Sequence, residues 1–511
     1  MRPRDAARSA RALALLVCIV LLTSPPAWAA IVLGVGAIGT IFGLEIRHSL
    51  SRRRVRQPRE PSGAIALGSD GDGQSVLLSD RQLSAHALIL GASGAGKSTT
   101  LLKLLTEYVN SGRPVVAIDM KGSPTFAGAL ADAATAAGRP FALWTPDGPS
   151  AWNPLAHGNP TELKDKMIAT ERFTEPHYQR AAERYIQTVL QALQHAQPQT
   201  APTLGQVVEM MDPRRLPGLL RRAPRPFAER VQDYLAALPP DQLSAIRGLA
   251  SRLAIITEAH TGRFLGAAGP DVADLDVRAP RPDVADLDVR APRPNVADID
   301  VRAALAGDQV VLFSLNSSTY GKLSAQLGAL AIQDLVAAAG HRLVQPARGG
   351  QAVIGIDEFS ALDSDNVISL LARCREAGVS VLLSTQELAD LDRSARGLRD
   401  QVLGSTAVKI AHRQEVPASA RTIAQMAGME TVWDESIQTN RHPLLGLRES
   451  GRGTRRQAER FRVHPDEISS LPPGQAVLIT KLPGLSVHTV RVTPPGAAPR
   501  ERPSRAGPEL G

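Results

Sequence analysis

Residues Gly91–Thr99 read GASGAGKST, a complete G-x-x-x-x-G-K-[ST] loop. They follow the apolar run Ala87–Leu90 and precede the helix-spaced stretch Leu101–Val109. Such a loop works only between a strand end and a helix N-terminus, where backbone N–H groups are free to meet an anion. The backbone of Gly91, Ala92, Ser93, Gly94, Ala95 and Gly96 is expected to wrap the β- and γ-phosphates of a nucleotide. Lys97 is placed to reach those phosphates, the Ser98 hydroxyl to hold Mg²⁺, and Thr99 to complete the motif. The loop therefore predicts an ATP and Mg²⁺ site, and it constrains the fold around it to strands alternating with helices.

The rest of the chain supplies that alternation. Val115–Asp119 and Phe141–Trp144 are short apolar runs with the helical stretch Phe126–Ala137 between them. Val310–Leu315, Val353–Ile356, Val379–Ser384 and Val408–Ala411 resume the pattern, and Val477–Thr480 and Val487–Val492 read as closing, antiparallel strands. Buried strands separated by helices imply a largely parallel sheet. The expected fold class is α/β: a RecA-like P-loop NTPase core built from residues 74–159 and 304–493. Residues 160–265 have little strand character, and Lys164–Ala196, Leu204–Met211, Phe227–Leu238 and Leu243–Gly262 carry helical spacing. This region reads as an all-helical domain inserted into the core.

A linker over residues 266–303 holds an internal repeat. Asp271–Pro282 is DVADLDVRAPRP, Asp283–Pro294 repeats it, and Asn295 begins an altered copy. Units this short, with proline at their ends, do not stack into a solenoid. They read as a duplicated surface linker. The tail 494–511, rich in Pro, Arg and Gly, is expected to be disordered.

The N-terminus carries a separate message. Leu13–Leu22 is almost wholly apolar, Pro25–Pro26 interrupts it, and Ala27–Leu44 is apolar again. Arg2, Arg4, Arg8 and Arg11 precede the pair; Arg47, Arg52, Arg53, Arg54, Arg56 and Arg59 follow it. Positive charge on both flanks predicts a membrane anchor over 1–46 of two helices with both ends cytoplasmic. The first span is about 12 to 14 residues against the roughly 20 a bilayer takes. A cleaved signal peptide, ending at Ala27-Trp28-Ala29, is the other reading. Either topology puts the large domain on the cytoplasmic side of a bacterial inner membrane, with ATP. The basic linker 47–73 has lipid headgroups as its plainest partner. The net charge of +8 is compatible with nucleic acid without establishing it. Two cysteines, Cys18 and Cys374, exclude a disulfide scaffold.

The candidate chemistry lies at strand ends. Val353–Ile356 leads into Asp357 and Glu358. Beside a phosphate loop, Asp357 is expected to support Mg²⁺ and Glu358 to polarise the attacking water. Gln386 follows the strand Val379–Ser384 and is expected on the same edge, near the γ-phosphate. A transferring phosphoryl group also needs a positive charge, often from a neighbouring subunit. Arg375 is the first candidate and Arg373 the second. Asp119 and Lys121 end another strand; a place at the rim of the site and a solvated strand end both remain open for them. The histidines show no metal-ligand spacing.

Together these features resemble type IV secretion coupling proteins, the membrane-anchored ATPases of conjugative DNA transfer. The resemblance rests on the paired spans, GASGAGKST, VVAIDMKGS at Val115–Ser123, WNPL at Trp152–Leu155, the helical insertion, VIGIDEF at Val353–Phe359, CREAGVSVLLSTQ at Cys374–Gln386, and PPGQAVL at Pro472–Leu478. It runs from residue 10 to residue 492. The short first span, the small gap between the apolar runs and the repeat depart from the family. The resemblance implies a ring-forming, homo-hexameric DNA translocase with Lys97 and Ser98 as its nucleotide-binding pair. Asp357 and Glu358 would be its acids, Gln386 its sensor, and Arg375 a residue donated across the subunit boundary. It also implies partners: DNA, a relaxase or other secretion substrate, and secretion-channel proteins, with the helical insertion recognising substrate. An anchored motor for chromosome handling, an ATPase exporting protein effectors without DNA, and a nucleotide-gated scaffold are the other classes these residues admit.

Overall fold

The computed structural model describes residues 63–496, apart from 172, 174, 267–297, 346–349 and 443–445. The anchor 1–46, the repeats and the end of the tail lie outside the described residues.

Strands β1 (Ile65–Ser69), β2 (Ser75–Leu78), β3 (Ala87–Leu90), β4 (Val115–Asp119), β5 (Phe141–Trp144), β6 (Val310–Ser314), β7 (Ala352–Asp357), β8 (Val379–Thr385), β9 (Val408–Ala411), β12 (Gln475–Thr480) and β13 (Ser486–Val492) form one sheet. Its order is β2-β1-β13-β12-β9-β3-β8-β7-β4-β6-β5. From β9 to β5 every pairing is parallel. From β9 outward through β12, β13, β1 and β2 every pairing is antiparallel. β3 stands between β8 and β9, so the phosphate loop leaves the sheet interior at its carboxyl edge, where doubly wound sheets bind ligands.

Apart from β5 at the sheet edge, the parallel strands are buried on both faces, as their largely apolar runs require. Successive residues point to opposite faces. Ala87 and Ile89 join Leu101, Leu105 and Tyr108 of the helix Lys97–Asn110 in one core. Leu88 and Leu90 belong to the other core, which continues into the helical insertion through Trp152, Leu163, Tyr185 and Ile186. Close approach explains one residue in this packing. A Cβ on Gly355 of β7 would lie 2.9 Å from both Leu105 Cδ atoms, so only glycine admits the helix there.

Between β5 and β6 the described chain is helical: Pro160–Ile168, Pro176–Ala196, Leu204–Met210, Leu216–Leu220, Arg225–Ala236 and Pro240–Glu258. Asn159 caps the first of these in a capping box with Glu162, and Pro160 occupies a position where no N–H is needed. The helix-spaced stretch Lys164–Ala196 divides in two because Pro176 starts a new helix.

The WNPL turn joins insertion and core. Trp152 N–H donates to the Phe264 carbonyl at 2.9 Å, and Ile299 N–H to the Ala151 carbonyl at 2.8 Å, so the chain's exit and return are held side by side. The Trp152 indole donates to Asp334 Oδ2 at 3.0 Å, and Lys166 Nζ donates to Asp334 Oδ1 at 2.8 Å and to the Pro154 and His157 carbonyls. All three side chains are buried. Asp334 lies on Lys322–Val344, a helix long and apolar enough to cross a membrane, which here packs Leu327, Leu330 and Leu335 into the core.

Three features differ from the sequence reading. β1 falls within 47–73, the stretch read as linker. It is short and lacks alternation, and Gly68 is pressed against Arg491 of β13. β2 pairs with β1 and forms the edge of the sheet. Met429–His442 (β10) and Gly446–Phe461 (β11) pair as a long antiparallel hairpin outside the sheet. Their residues are largely polar on both faces and give no hydrophobic alternation to read.

Candidate functional site

The carboxyl edge of the parallel strands gathers the candidate residues. Register sets this: Leu90 of β3 faces Thr385 of β8 and Ala411 of β9, while Asp119 of β4 faces Asp357 of β7. Everything that follows those residues emerges at one rim.

Gly91–Gly96 form the loop, and Lys97 opens the helix Lys97–Asn110. Gly96 caps it at φ 115° with no side-chain hydrogen bond, so the N-terminal N–H groups point outward. Three neighbours brace the loop through its backbone. Gly91 N–H donates to the Gln386 carbonyl (3.1 Å) and Ala92 N–H to the Arg413 carbonyl (2.8 Å). Gly474 N–H donates to the Ala95 carbonyl (3.0 Å). A Cβ on Gly91 would lie 2.6 Å from His412 Cβ.

His412 is fully buried beneath the loop. Its Nδ1 lies 2.8 Å from the Gln475 carbonyl, which can only accept, so Nδ1 carries the proton. Nε2, 2.9 Å from Thr100 Oγ1, accepts from that hydroxyl. Burial, with Lys97 nearby, lowers the His412 pKa to about 4 despite the Gln475 bond, so the ring is neutral.

Lys97 is buried, and its Nζ donates to the Ala92 carbonyl at 3.1 Å. Burial lowers its pKa; Glu358, Asp357 and Glu387 oppose that shift and Lys121 adds to it. Ser98 Oγ donates to Asp357 Oδ2 at 2.7 Å, while the buried Oδ1 has no hydrogen-bond partner. A hydroxyl beside a carboxylate with a spare oxygen is the hard donor set Mg²⁺ takes, so the residues fit that ion. Ser98 and Asp357 would hold it.

Glu358 sits at φ 55°, a left-handed conformation costly for a non-glycine residue and a mark of a constrained site. Its Oε1 accepts from Lys121 Nζ at 2.6 Å and from Gln386 Nε2 at 3.1 Å. Asp119, behind them, accepts from the Lys121 and Ser123 N–H groups at 2.9 and 2.6 Å. Burial raises its pKa against those two bonds, and Asp357 raises it further.

The structure thus brings together Lys97, Ser98, Asp357, Glu358 and Gln386. It adds Lys121 and Asp119, whose place the sequence left open, and His412, Thr100 and Gly474, which the sequence reading missed. His412 directly follows the apolar run of β9, and that strand-end position was its only signal. Arg375 is not among them. It caps the helix Ser364–Cys374 and lies before Val379, at the amino edge of β8. Seven extended residues, roughly 20 Å, separate that edge from the loop. Arg373 and Arg375 are both exposed.

The site is a phosphate loop that leaves the interior of a parallel sheet beside an acid pair at the same carboxyl edge. Comparisons place it more closely. Residues 351–473 match the model of the TraM recognition site of TraD and TraG. Residues 47–122 match the FtsK/SpoIIIE family. The bacterial conjugative coupling protein TrwB superposes with a TM-score of 0.60 at 15% identity, over 87% of this chain and 92% of that one. TrwB has also been solved with a non-hydrolysable ATP analogue and with ADP and Mg²⁺. VirB4 of Thermoanaerobacter pseudethanolicus superposes with a TM-score of 0.53 at 14% identity, over 86% of this chain and 98% of that one. No curated protein is significantly similar in sequence. The resemblance to type IV secretion coupling proteins, read from the motifs, is borne out by these matches.

Proposed function

We propose that this protein is a membrane-anchored ATPase that couples hydrolysis to the recruitment and movement of DNA, or of a relaxase–DNA complex, through a type IV secretion channel. The observation that carries the reading is the meeting of Lys97, Ser98, Asp357, Glu358 and Gln386 at one sheet edge. The coupling-protein fold around that edge supports it.

In this reading the loop N–H groups and Lys97 bind the phosphates, as a helix N-terminus favours. Mg²⁺, when bound by Ser98 and Asp357, supplies neutralisation of charge on the phosphate oxygens. Glu358 accepts a hydrogen bond from the attacking water and turns its lone pair toward phosphorus. Gln386, linked to Glu358, senses the terminal phosphate and lies one residue from the helix Leu388–Ser394, through which that state can reach the rest of the sheet edge. Arg375 serves a neighbouring subunit of a homo-hexamer. Its place on the amino edge supports donation to another copy's site rather than its own.

The test pairs hydrolysis with nucleotide affinity. Glu358→Gln should bind ATP normally and lose most turnover, by about 100-fold or more as removal of a positioned acid–base group does. Lys97→Ala should weaken both. Near-normal turnover in both variants would reject the assignment.

A further inference from the structure

We propose that Lys121 is a second phosphate-binding cation, held by Glu358 until the terminal phosphate of a nucleoside triphosphate draws it away. This rests on the reading of the loop as an ATP site and adds a residue that distinguishes triphosphate from diphosphate.

The backbone of Lys121 is fixed. Asp119 accepts from its N–H and from that of Ser123, which folds residues 119–123 into a turn at the end of β4. Gly122 completes the turn at φ 70°, against Asn316, where a Cβ would lie 2.7 Å from Asn316 Cβ. The side chain, by contrast, is 44% exposed, and a long flexible stem carries its charge. It ends 2.6 Å from Glu358 Oε1, on the rim that faces the loop.

Two consequences follow from that contact. Glu358 Oε1 receives both Lys121 and Gln386, so that oxygen is taken up by its own neighbours and is less free to accept from water. Lys121 is also near enough to Lys97 to act on its charge, so two ammonium groups flank Asp357 and Glu358. A terminal phosphate brings more negative charge than a single carboxylate, and lysine binds phosphate as a mobile point charge. Movement of Lys121 from Glu358 to that phosphate would neutralise it and release Oε1 for water in the same event. A diphosphate fills the loop and Lys97 without reaching Lys121.

The test uses the full chain with two nucleotides, ADP and a non-hydrolysable ATP analogue, each with Mg²⁺, titrated by calorimetry. Lys121→Ala should bind the analogue about tenfold more weakly while ADP affinity stays within about twofold, the scale of one lost charge-assisted hydrogen bond. Lys121→Met, which keeps the apolar stem, should behave alike, and Lys121→Arg should recover part of the loss. Thermal unfolding of each variant checks that the fold is kept. Equal loss for both nucleotides would make the ion pair merely structural and overturn the proposal, as would unchanged affinity for both. Failure of the unaltered protein to bind either nucleotide would instead remove the ATP-site reading itself, and this proposal with it.

Discussion

His86 and His412 are buried bases whose pKa values fall to about 4, from an ordinary 6.5. Burial is the main cause in both, and Arg375 and Lys97 respectively push the same way. His86 Nδ1 accepts from Val381 N–H at 3.0 Å, and Nε2 donates to the Leu371 carbonyl at 2.9 Å, so protonation would break a bond inside the sheet. The sign follows from proton uptake. Above pH 6.5 neither the folded nor the unfolded form is protonated at these rings, and stability is full. Between 6.5 and 4 the unfolded chain takes up protons that the folded one refuses, so stability falls. Unfolding temperature should drop across that window and level off, as far as these two groups are concerned, below it. His412→Gln keeps an acceptor for Thr100 and a donor for the Gln475 carbonyl, so it should shrink the drop. An unchanged pH profile in that variant would show that the His412 ring does not drive it. What the sequence told about such residues depended on pattern. Gly91–Thr99, Asp357 and Glu358 were legible because loop and acid strand have fixed local spacing. Lys121 and His412 were not, because their partners Glu358 and Thr100 are brought to them only by strand order.

At the level of elements, the WNPL turn illustrates the same limit. Trp152, Asn153, Pro154 and Leu155 read as a specific turn without chemistry. The Lys166–Asp334–Trp152 network shows that they join the helical insertion to the core. Lys166→Met should leave Asp334 charged and buried with no cation, holding only the Trp152 indole bond, and so destabilise the protein by about 3–5 kcal/mol. Combining it with Asp334→Asn, which removes the charge and keeps an acceptor for the Trp152 indole, should restore much of that. The urea midpoint of the three forms checks it, and equal midpoints for single and double variants would deny the coupling. The parallel strands β3 to β9 were legible because burial, on both faces for all but the edge strand β5, writes them as largely apolar runs. The hairpin β10–β11, largely polar in sequence, and the short strand β1 were not, since cross-strand partners leave no local mark.

For the whole molecule, the placement of Arg375 gives a sharp expectation. Subunits carrying Arg375→Ala should bind ATP and hydrolyse it poorly. Mixed with Lys97→Ala subunits, they should regain activity, because each supplies what the other lacks. Steady-state hydrolysis over a range of mixing ratios, with mixed assemblies verified by mass, decides the matter; no recovery at any ratio rejects Arg375 as the donated group. Protein lacking residues 1–61 should bind single-stranded DNA with little sequence preference and a steep loss of affinity as salt rises, since a motor grips phosphates. No binding by assembled, ATP-loaded protein at low salt would favour export of protein cargo instead.

The sheet closes on itself in sequence: Gly68 pairs with Val492, and the loop carbonyl of Ala95 waits for the N–H of Gly474. During synthesis the phosphate loop and its lysine leave the ribosome well before the strand that flanks β9 and the residue that braces the loop, which follow the helical insertion and all the parallel strands. Such distant pairing delays completion of the fold. A nascent chain therefore carries a written but unfinished nucleotide site until Gly474 and β12 are made. Products that stop short of Pro472 should neither hold nucleotide nor consume it, which keeps incomplete copies silent.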